Sequence, residues 1–244
     1  IERFRDATRG VRKGLVVWTA WTEVDEATQA SQAEKVTQQG GKNYLIPLEK
    51  HAIKLLSMGL LVPAGEAMVW RGPMASKALR QLLGDTAWGA LDYLLIDLPP
   101  GTSDIHLTLV QAVPVTGAVI VTTPQQVALI DATKAIAMFQ KPGLDVPILG
   151  VVENMAYFPP PELPDSKYYL FGQGGGKALA IQHQVPFLGQ IPLVQDIREG
   201  SDTGMPTFLR ANSHTFDKVA TSLAQQIAIR NACSISTQTG EGTR

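Results

Sequence analysis

Four short apolar runs, none alternating with polar residues, mark the chain from residue 93 onward. They cover residues 93–96, 117–123, 147–152 and 187–191. An apolar run of this length without alternation is typical of a strand buried on both faces, as in a parallel sheet. The pattern therefore predicts four strands of one buried sheet.

Segments with a helical period lie between these runs. Residues 105–112 and 127–139 repeat apolar side chains at helical spacing, and residues 74–83 do the same before the first run. Strands that alternate with such helices predict βαβ units with right-handed crossovers. We therefore expect an α/β fold with a mostly parallel sheet flanked by helices.

Polar or turn residues follow each predicted strand. They are Asp97, Thr122 and Thr123, Glu153 and Asn154, and Pro192. The carboxyl ends of parallel strands meet at one edge of the sheet, where open α/β sheets bind their ligands. The sequence therefore predicts a binding site at this edge.

The stretch 88–104, read as WGALDYLLIDLPPGTSD, carries the most specific pattern. Its apolar run stops at Asp97, and two prolines and Gly101 then form a turn. In P-loop nucleotidases a strand ending in Asp holds the magnesium of a nucleotide, and a glycine beyond it brings a backbone N–H near the γ-phosphate. Strand and turn alone are equally compatible with a solvated aspartate in a surface turn.

Composition excludes several classes of function. The chain is 45% apolar and 18% charged with a net charge of −1, so there is no electrostatic case for a nucleic-acid or membrane partner. Cys233 is the only cysteine, which rules out an internal disulfide and suits a reducing compartment. No apolar run reaches the ~18 residues of a membrane span, and the charged first residues do not resemble a signal peptide. We therefore expect a cytoplasmic protein.

Two glycine-rich runs invite comparison with the phosphate-binding pattern G-x-x-x-x-G-K-[ST]. The first ends in Lys42, but Val36 and Asn43 replace the required Gly and Ser/Thr. The second covers residues 171–177, and Phe171 and Ala178 break the pattern in the same way. We interpret the first as a turn and the second as a flexible hinge, with weak anion binding at its helix start as the alternative.

The spacing W-x-x-L-D-Y-L-x-I-D-x-P-P-G-T-S-D over residues 88–104 resembles the signature of the Mrp/ApbC family. These are ATP-binding iron–sulfur cluster carrier or assembly proteins in the MinD/ParA-like branch of P-loop nucleotidases. The resemblance spans roughly residues 44–230. Further segments agree in order and spacing: 53–60, 69–74, 107–111, 120–125, 151–155, 171–177 and 188–193.

The resemblance implies roles for single residues. Asp97 looks like the acid that orders Mg²⁺, and Gly101 like the switch glycine, which makes them the candidate catalytic residues. Asn154 resembles the residue that binds the adenine edge, and the backbone after Pro192 resembles the other wall of that pocket. The implied cofactors are ATP and Mg²⁺, with an iron–sulfur cluster as cargo. The implied partners are a second copy of the chain and iron–sulfur acceptor proteins.

The sequence departs from the family pattern in two places. The Gly-Lys-Ser/Thr loop expected before residue 44 is not found, so the first βαβ unit is missing or altered. The C-x-x-C pair expected after residue 155 is also not found, and Cys233 offers a single thiolate. Arg71 and Asp104 occupy family positions to which we assign no chemical role.

The resulting prediction is a P-loop NTPase-like α/β domain over residues 44–232. A divergent segment, residues 1–43, precedes it, and a polar tail, residues 233–244, follows. Three functions stay open: an ATP-dependent iron–sulfur carrier, a non-catalytic pseudo-nucleotidase scaffold that binds partners through the proline-rich loop at 158–164, and a MinD/ParA-type positioning ATPase.

Overall fold

The computed structural model describes residues 14–15, 36–39, 41–57, 72–163, 165–205, 207–209 and 214–240. The strands are β1 (Gly14–Leu15), β2 (Val36–Gln39), β3 (Lys42–Leu45), β4 (Leu48–Lys50), β5 (Ile53–Leu55), β6 (Tyr93–Leu94), β7 (Ala118–Thr122), β8 (Ile148–Glu153) and β9 (Phe187–Gln190). The helices are α1 (Gly72–Gly84), α2 (Asp104–Ala112), α3 (Gln126–Phe139), α4 (Gly175–Gln182), α5 (Gln195–Asp202) and α6 (Asp217–Gly240), with a 3₁₀ turn at Thr207–Leu209.

The chain divides into two compact units, each discontinuous in sequence. One contains residues 1–18, 92–96 and 115–244, and the other contains residues 19–91 and 97–114. The boundary at 96/97 falls within the proposed nucleotide motif.

A parallel sheet of three strands in the order β7-β8-β9 forms the centre of the first unit. Its register places Thr122 opposite Glu153 and Glu153 opposite Gln190, so the three carboxyl ends are level. Helix α6 packs on this sheet because Ile227 and Val219 contact the apolar residues of β8 and β9. The predicted α/β fold, with a parallel sheet and flanking helices, is confirmed.

The predicted strand at 93–96 is shorter than its apolar run. Only Tyr93 and Leu94 form β6, and the side chain of Leu95 is 48% exposed. The prediction of a strand buried on both faces is therefore wrong for this run. The parallel partner of β6 is β1, with Gly14 opposite Tyr93 and Leu15 opposite Leu94.

Two antiparallel hairpins, β2–β3 and β4–β5, belong to the second unit. The segments VTQQ of β2 and LEK of β4 carry no apolar alternation, so the sequence pattern does not predict these two strands. In the same unit α1 packs on α2. Buried Leu79 and Leu109 lie in these helices, and Thr108 donates a hydrogen bond to Ser76 over 3.0 Å.

The proline-rich loop at 156–170 contains no helix or regular strand in its described residues, as the sequence predicts. It folds back on itself through an isolated antiparallel bridge between Phe158 and Tyr168. The ammonium group of Lys167 lies 4.4 Å from the centre of the Tyr157 ring, a cation–π contact that ties the two arms together.

Several sequence predictions fall outside the described residues. They concern most of residues 1–43, Arg71 and the side chain of Cys233. Among the helices that the structure does describe, none has both the length and the apolar character of a membrane-spanning segment.

Candidate functional site

The loop after β6 presents a partly buried carboxylate and an exposed glycine close together in sequence. Burial raises the pKa of Asp97 from its ordinary value of 3.8 to about 6. Gly101 lies four residues further on with φ = +93°, a conformation that glycine adopts without strain. A partly buried carboxylate and, four residues on, an exposed glycine N–H are groups of the kind that bind a divalent cation and a phosphate.

Helix α2 begins directly after this loop, with Ser103 as its N-cap. The imidazole of His106, buried in the first turn of the helix, accepts a hydrogen bond from the Ser103 backbone N–H at 3.2 Å. This is the place that a capping box usually gives to Glu or Gln. The sequence analysis gave His106 no role.

Asp104 is the first residue of α2, and its carboxylate lies beside the start of α1. A Cβ on Gly72 would come within 3.3 Å of the Asp104 Oδ2 atom. A negative charge near a helix N-terminus is stabilising because the first backbone N–H groups are unpaired within the helix. The structure thus places the Asp104 carboxylate next to Gly72, the first described residue of α1.

The carboxyl edge of the sheet brings Asn154 and Pro192 together in the other unit. The Asn154 backbone N–H donates to the Thr122 carbonyl at 2.7 Å, and the Ile191 N–H donates to the Glu153 carbonyl at 2.9 Å. The Ala156 N–H donates in turn to the Ile191 carbonyl. The chain after β8 therefore runs beside the chain after β9, as a parallel sheet with a shared edge requires.

The Asn154 side chain has a defined orientation. Its Oδ1 atom accepts a hydrogen bond from the Met155 N–H at 3.0 Å, so the amide NH₂ is its donor side. Met155 has φ = +52°, which is uncommon for a residue other than glycine. Backbone strain of this kind concentrates at functional sites.

Glu153 is the residue of this edge whose importance the sequence analysis missed. Its side chain is fully buried at the end of β8. One carboxylate oxygen accepts the Gly176 backbone N–H at 2.5 Å, and the other accepts the Gln190 amide at 2.7 Å. Glu153 therefore joins β8, β9 and the start of α4 at a point next to Asn154.

Gly175 and Gly176 have close contacts, which favour a packing role over the hinge interpretation. A Cβ on Gly176 would come within 2.9 Å of the Glu153 Cβ, and one on Gly175 within 2.9 Å of the Pro124 carbonyl. The N-cap Gly174 adopts φ = +73°. Glycine is required here because the start of α4 touches the ends of β7 and β8.

Replacing Gly175 with alanine is expected to lower the free energy of unfolding by about 1–3 kcal/mol, the cost of overpacking a closely packed site. The matched control is Gly84→Ala, where a Cβ meets nothing within 4 Å. That change is expected to be neutral or slightly stabilising because alanine is the better helix former. Urea denaturation of both variants is the measurement, and equal stabilities would restore the hinge interpretation.

The four residues implicated by sequence fall into two pairs. Asp97 and Gly101 share one loop, and Asn154 and Pro192 share the sheet edge of the other unit. In the described part of the chain, no three His, Cys, Asp or Glu side chains are grouped so that they could hold a metal ion.

Comparison with known proteins identifies the family of this chain. Residues 23–228 match the family model described as "ParA: NUBPL iron-transfer P-loop NTPase". The chain is 50% identical over 184 residues to an iron–sulfur cluster carrier protein of Synechocystis, covering 75% of this chain and 52% of the relative. It is 42% identical over 222 residues to the iron–sulfur cluster carrier protein of Escherichia coli K12. That match covers 91% of this chain and 59% of the relative.

One solved structure has a similar fold. It is a nucleotide-binding protein from Archaeoglobus fulgidus in complex with ADP, with a TM-score of 0.63 and 31% sequence identity. The match covers 88% of this chain and 82% of that one. The chain spans about half the length of the curated relatives cited above.

The resemblance first seen in the motif at 88–104 is thereby confirmed, since the family model extends over most of the sequence and the fold is shared with a nucleotide-binding relative. This chain belongs to the ParA family of P-loop NTPases, in its NUBPL iron-transfer branch.

Proposed function

We propose that this chain is the nucleotide-binding part of an iron–sulfur cluster carrier, in which ATP binding and hydrolysis are coupled to cluster transfer. The Asp97–Gly101 loop carries this proposal, because it pairs a desolvated carboxylate with a positive-φ glycine in a chain of this family. Relatives at 42–52% identity bear the name iron–sulfur cluster carrier protein.

Asp97 is the residue that holds Mg²⁺, directly or through water. The cation neutralises phosphate charge when the nucleotide is bound. Burial destabilises the ionised form of Asp97, and a bound cation offsets that cost. Gly101 supplies a backbone N–H to the terminal phosphate, and its lack of a side chain leaves room for that approach.

Asn154 and the backbone after Pro192 bind the base. Because Asn154 Oδ1 is occupied by the Met155 N–H, its NH₂ group is the donor for a ring nitrogen of adenine. The Leu193 N–H is itself engaged with the Tyr157 carbonyl at 2.8 Å, which fixes the backbone that follows Pro192. The Glu153 carboxylate fixes the neighbouring backbone through its hydrogen bonds to Gly176 and Gln190.

The cluster is the cargo of the reaction. Cys233 is the one thiol in this sequence that could bind a cluster, and a lone cysteine near the end of a helix is more often inert. We infer a homodimer that passes clusters to iron–sulfur acceptor proteins in the cytoplasm.

One observation favours a second function, a pseudo-nucleotidase scaffold. The pattern G-x-x-x-x-G-K-[ST] does not occur in this sequence, and in P-loop nucleotidases it supplies the phosphate cradle and its lysine. A scaffold of this kind keeps the sheet and binds partners through the proline-rich loop.

Anaerobic reconstitution with iron and sulfide tests the carrier function. We expect visible cluster absorbance on the chain and transfer to an apo iron–sulfur protein that ATP accelerates. In the Asp97→Ala variant loading is expected to persist and the ATP effect to be lost. Absence of both cluster loading and ATP turnover in the wild type would favour the scaffold.

A further inference from the structure

A buried histidine lies behind the proposed phosphate loop without a part in the mechanism described above. His106 is 4% exposed and occupies the third position of α2. Burying a titratable imidazole is unfavourable unless its ring nitrogens find hydrogen-bond partners. Its partners therefore indicate what the residue does.

The ring contacts both ends of the turn that contains Gly101. Its Nδ1 atom lies 3.2 Å from the Ser103 backbone nitrogen and 3.3 Å from the Ser103 hydroxyl. The imidazole also hydrogen-bonds the backbone of Pro99. Proline has no N–H, so the Pro99 group involved is its carbonyl.

These partners determine the tautomer. A nitrogen that accepts a bond from a backbone N–H carries no proton, so in the neutral ring the proton is on Nε2. The Pro99 carbonyl is then the acceptor for the Nε2–H group. Burial lowers the pKa of His106, which agrees with a neutral ring.

The turn from Pro99 to Ser103 needs hydrogen bonds from a residue outside the turn. Pro99 and Pro100 have no backbone N–H groups with which to close it, and Gly101 is exposed at a φ of +93°. Glycine has the greatest backbone freedom of any residue, so ordering it requires fixed neighbours. A ring that is bonded to residues 99 and 103 fixes both sides of the glycine.

We propose that His106 is a positioning residue, whose neutral ring braces the turn from Pro99 to Ser103 and thereby orients the Gly101 N–H toward a nucleotide's terminal phosphate. The brace is a property of the chain alone, whereas the phosphate contact rests on the proposed function. The two parts can therefore fail separately.

Two variants separate hydrogen bonding from packing. His106→Gln keeps one acceptor and one donor on a side chain that reaches the same turn, and His106→Leu keeps the volume but has neither. Thr108→Val is the control, since Thr108 is buried in the same helix and its hydrogen bond is to Ser76 rather than to the turn.

Two measurements are made on the full chain. The first is amide hydrogen exchange of residues 101–103 without nucleotide. We expect exchange at least about tenfold faster in His106→Leu and close to wild type in His106→Gln and Thr108→Val. The second is the affinity for ATP and for ADP with Mg²⁺. We expect ATP to bind about tenfold more weakly to His106→Leu and ADP to bind as before, because ADP lacks the terminal phosphate.

The outcomes are distinguishable. Unchanged exchange in His106→Leu, or equally fast exchange in Thr108→Val, overturns the brace. Faster exchange with equal losses for ATP and ADP overturns the contact to the terminal phosphate. A wild-type chain that binds neither nucleotide overturns the proposed function, and the exchange series then still decides whether His106 braces the turn.

Discussion

Replacing Glu153 with alanine is expected to lower the free energy of unfolding by about 3 kcal/mol or more. In the wild type, the Gly176 N–H and the Gln190 amide each donate to one oxygen of the Glu153 carboxylate. The substitution leaves both donors without an acceptor in the interior. It also leaves a cavity, because the residue is fully buried. Chemical denaturation monitored by circular dichroism is the measurement.

Two further variants test the reason for this loss. Glu153→Gln is expected to cost only about 1 kcal/mol, because the amide of Gln190 can turn over and accept from the new side chain. Glu162→Ala removes the same kind of side chain from the exposed loop and is expected to change stability by less than about 0.5 kcal/mol. If Glu153→Ala were as stable as Glu162→Ala, the buried network would not support the sheet edge.

Replacing Asp97 with asparagine is expected to stabilise the chain in the absence of nucleotide and cation, with a gain that grows from about pH 3.8 and is complete above about pH 6. Between pH 3.8 and about 6 the folded state keeps a proton that the unfolded state has lost. The stability contributed by Asp97 is therefore fully present below pH 3.8 and is lost as the pH rises through 6. Asparagine does not titrate and keeps the neutral form at every pH.

The expected gain in Asp97→Asn at pH 7.5 is about 1–2 kcal/mol, a figure reduced for solvent screening because the carboxylate is only partly buried. At pH 3.5 the two proteins should be equally stable. Thermal denaturation at both pH values is the measurement. The control is Asp92→Asn, the same substitution at an exposed neighbouring position. A difference of the same size at both pH values would contradict the argument.

The sequence predicts best the three strands of the parallel sheet. Residues 118–122, 148–153 and 187–190 each lie within a continuous apolar run that is too short for a helix. The run at 93–96 looks the same in sequence, yet only Tyr93 and Leu94 form a strand. The polar hairpins could not be predicted, since their pairing depends on backbone hydrogen bonds.

The proposed site, too, can be predicted from the sequence only in part. The adjacency of Asn154 and Pro192 follows from parallel strands that share an edge. The role of Glu153 depends on partners 23 and 37 residues away along the chain, and that of His106 on the position of one ring within a turn. A charged residue at the end of a wholly apolar strand, followed by a glycine-rich helix start, was the available signal for Glu153.

Calorimetric titration of ATP into the wild-type chain and into Asp97→Asn, with and without Mg²⁺, tests the central claim most directly. Mg²⁺ is expected to strengthen ATP binding to the wild type at least about tenfold and to have no such effect on Asp97→Asn. The exposed variant Asp92→Asn should bind as the wild type does. Binding that is independent of Mg²⁺ and of Asp97, or no ATP binding by the wild type, would contradict the claim.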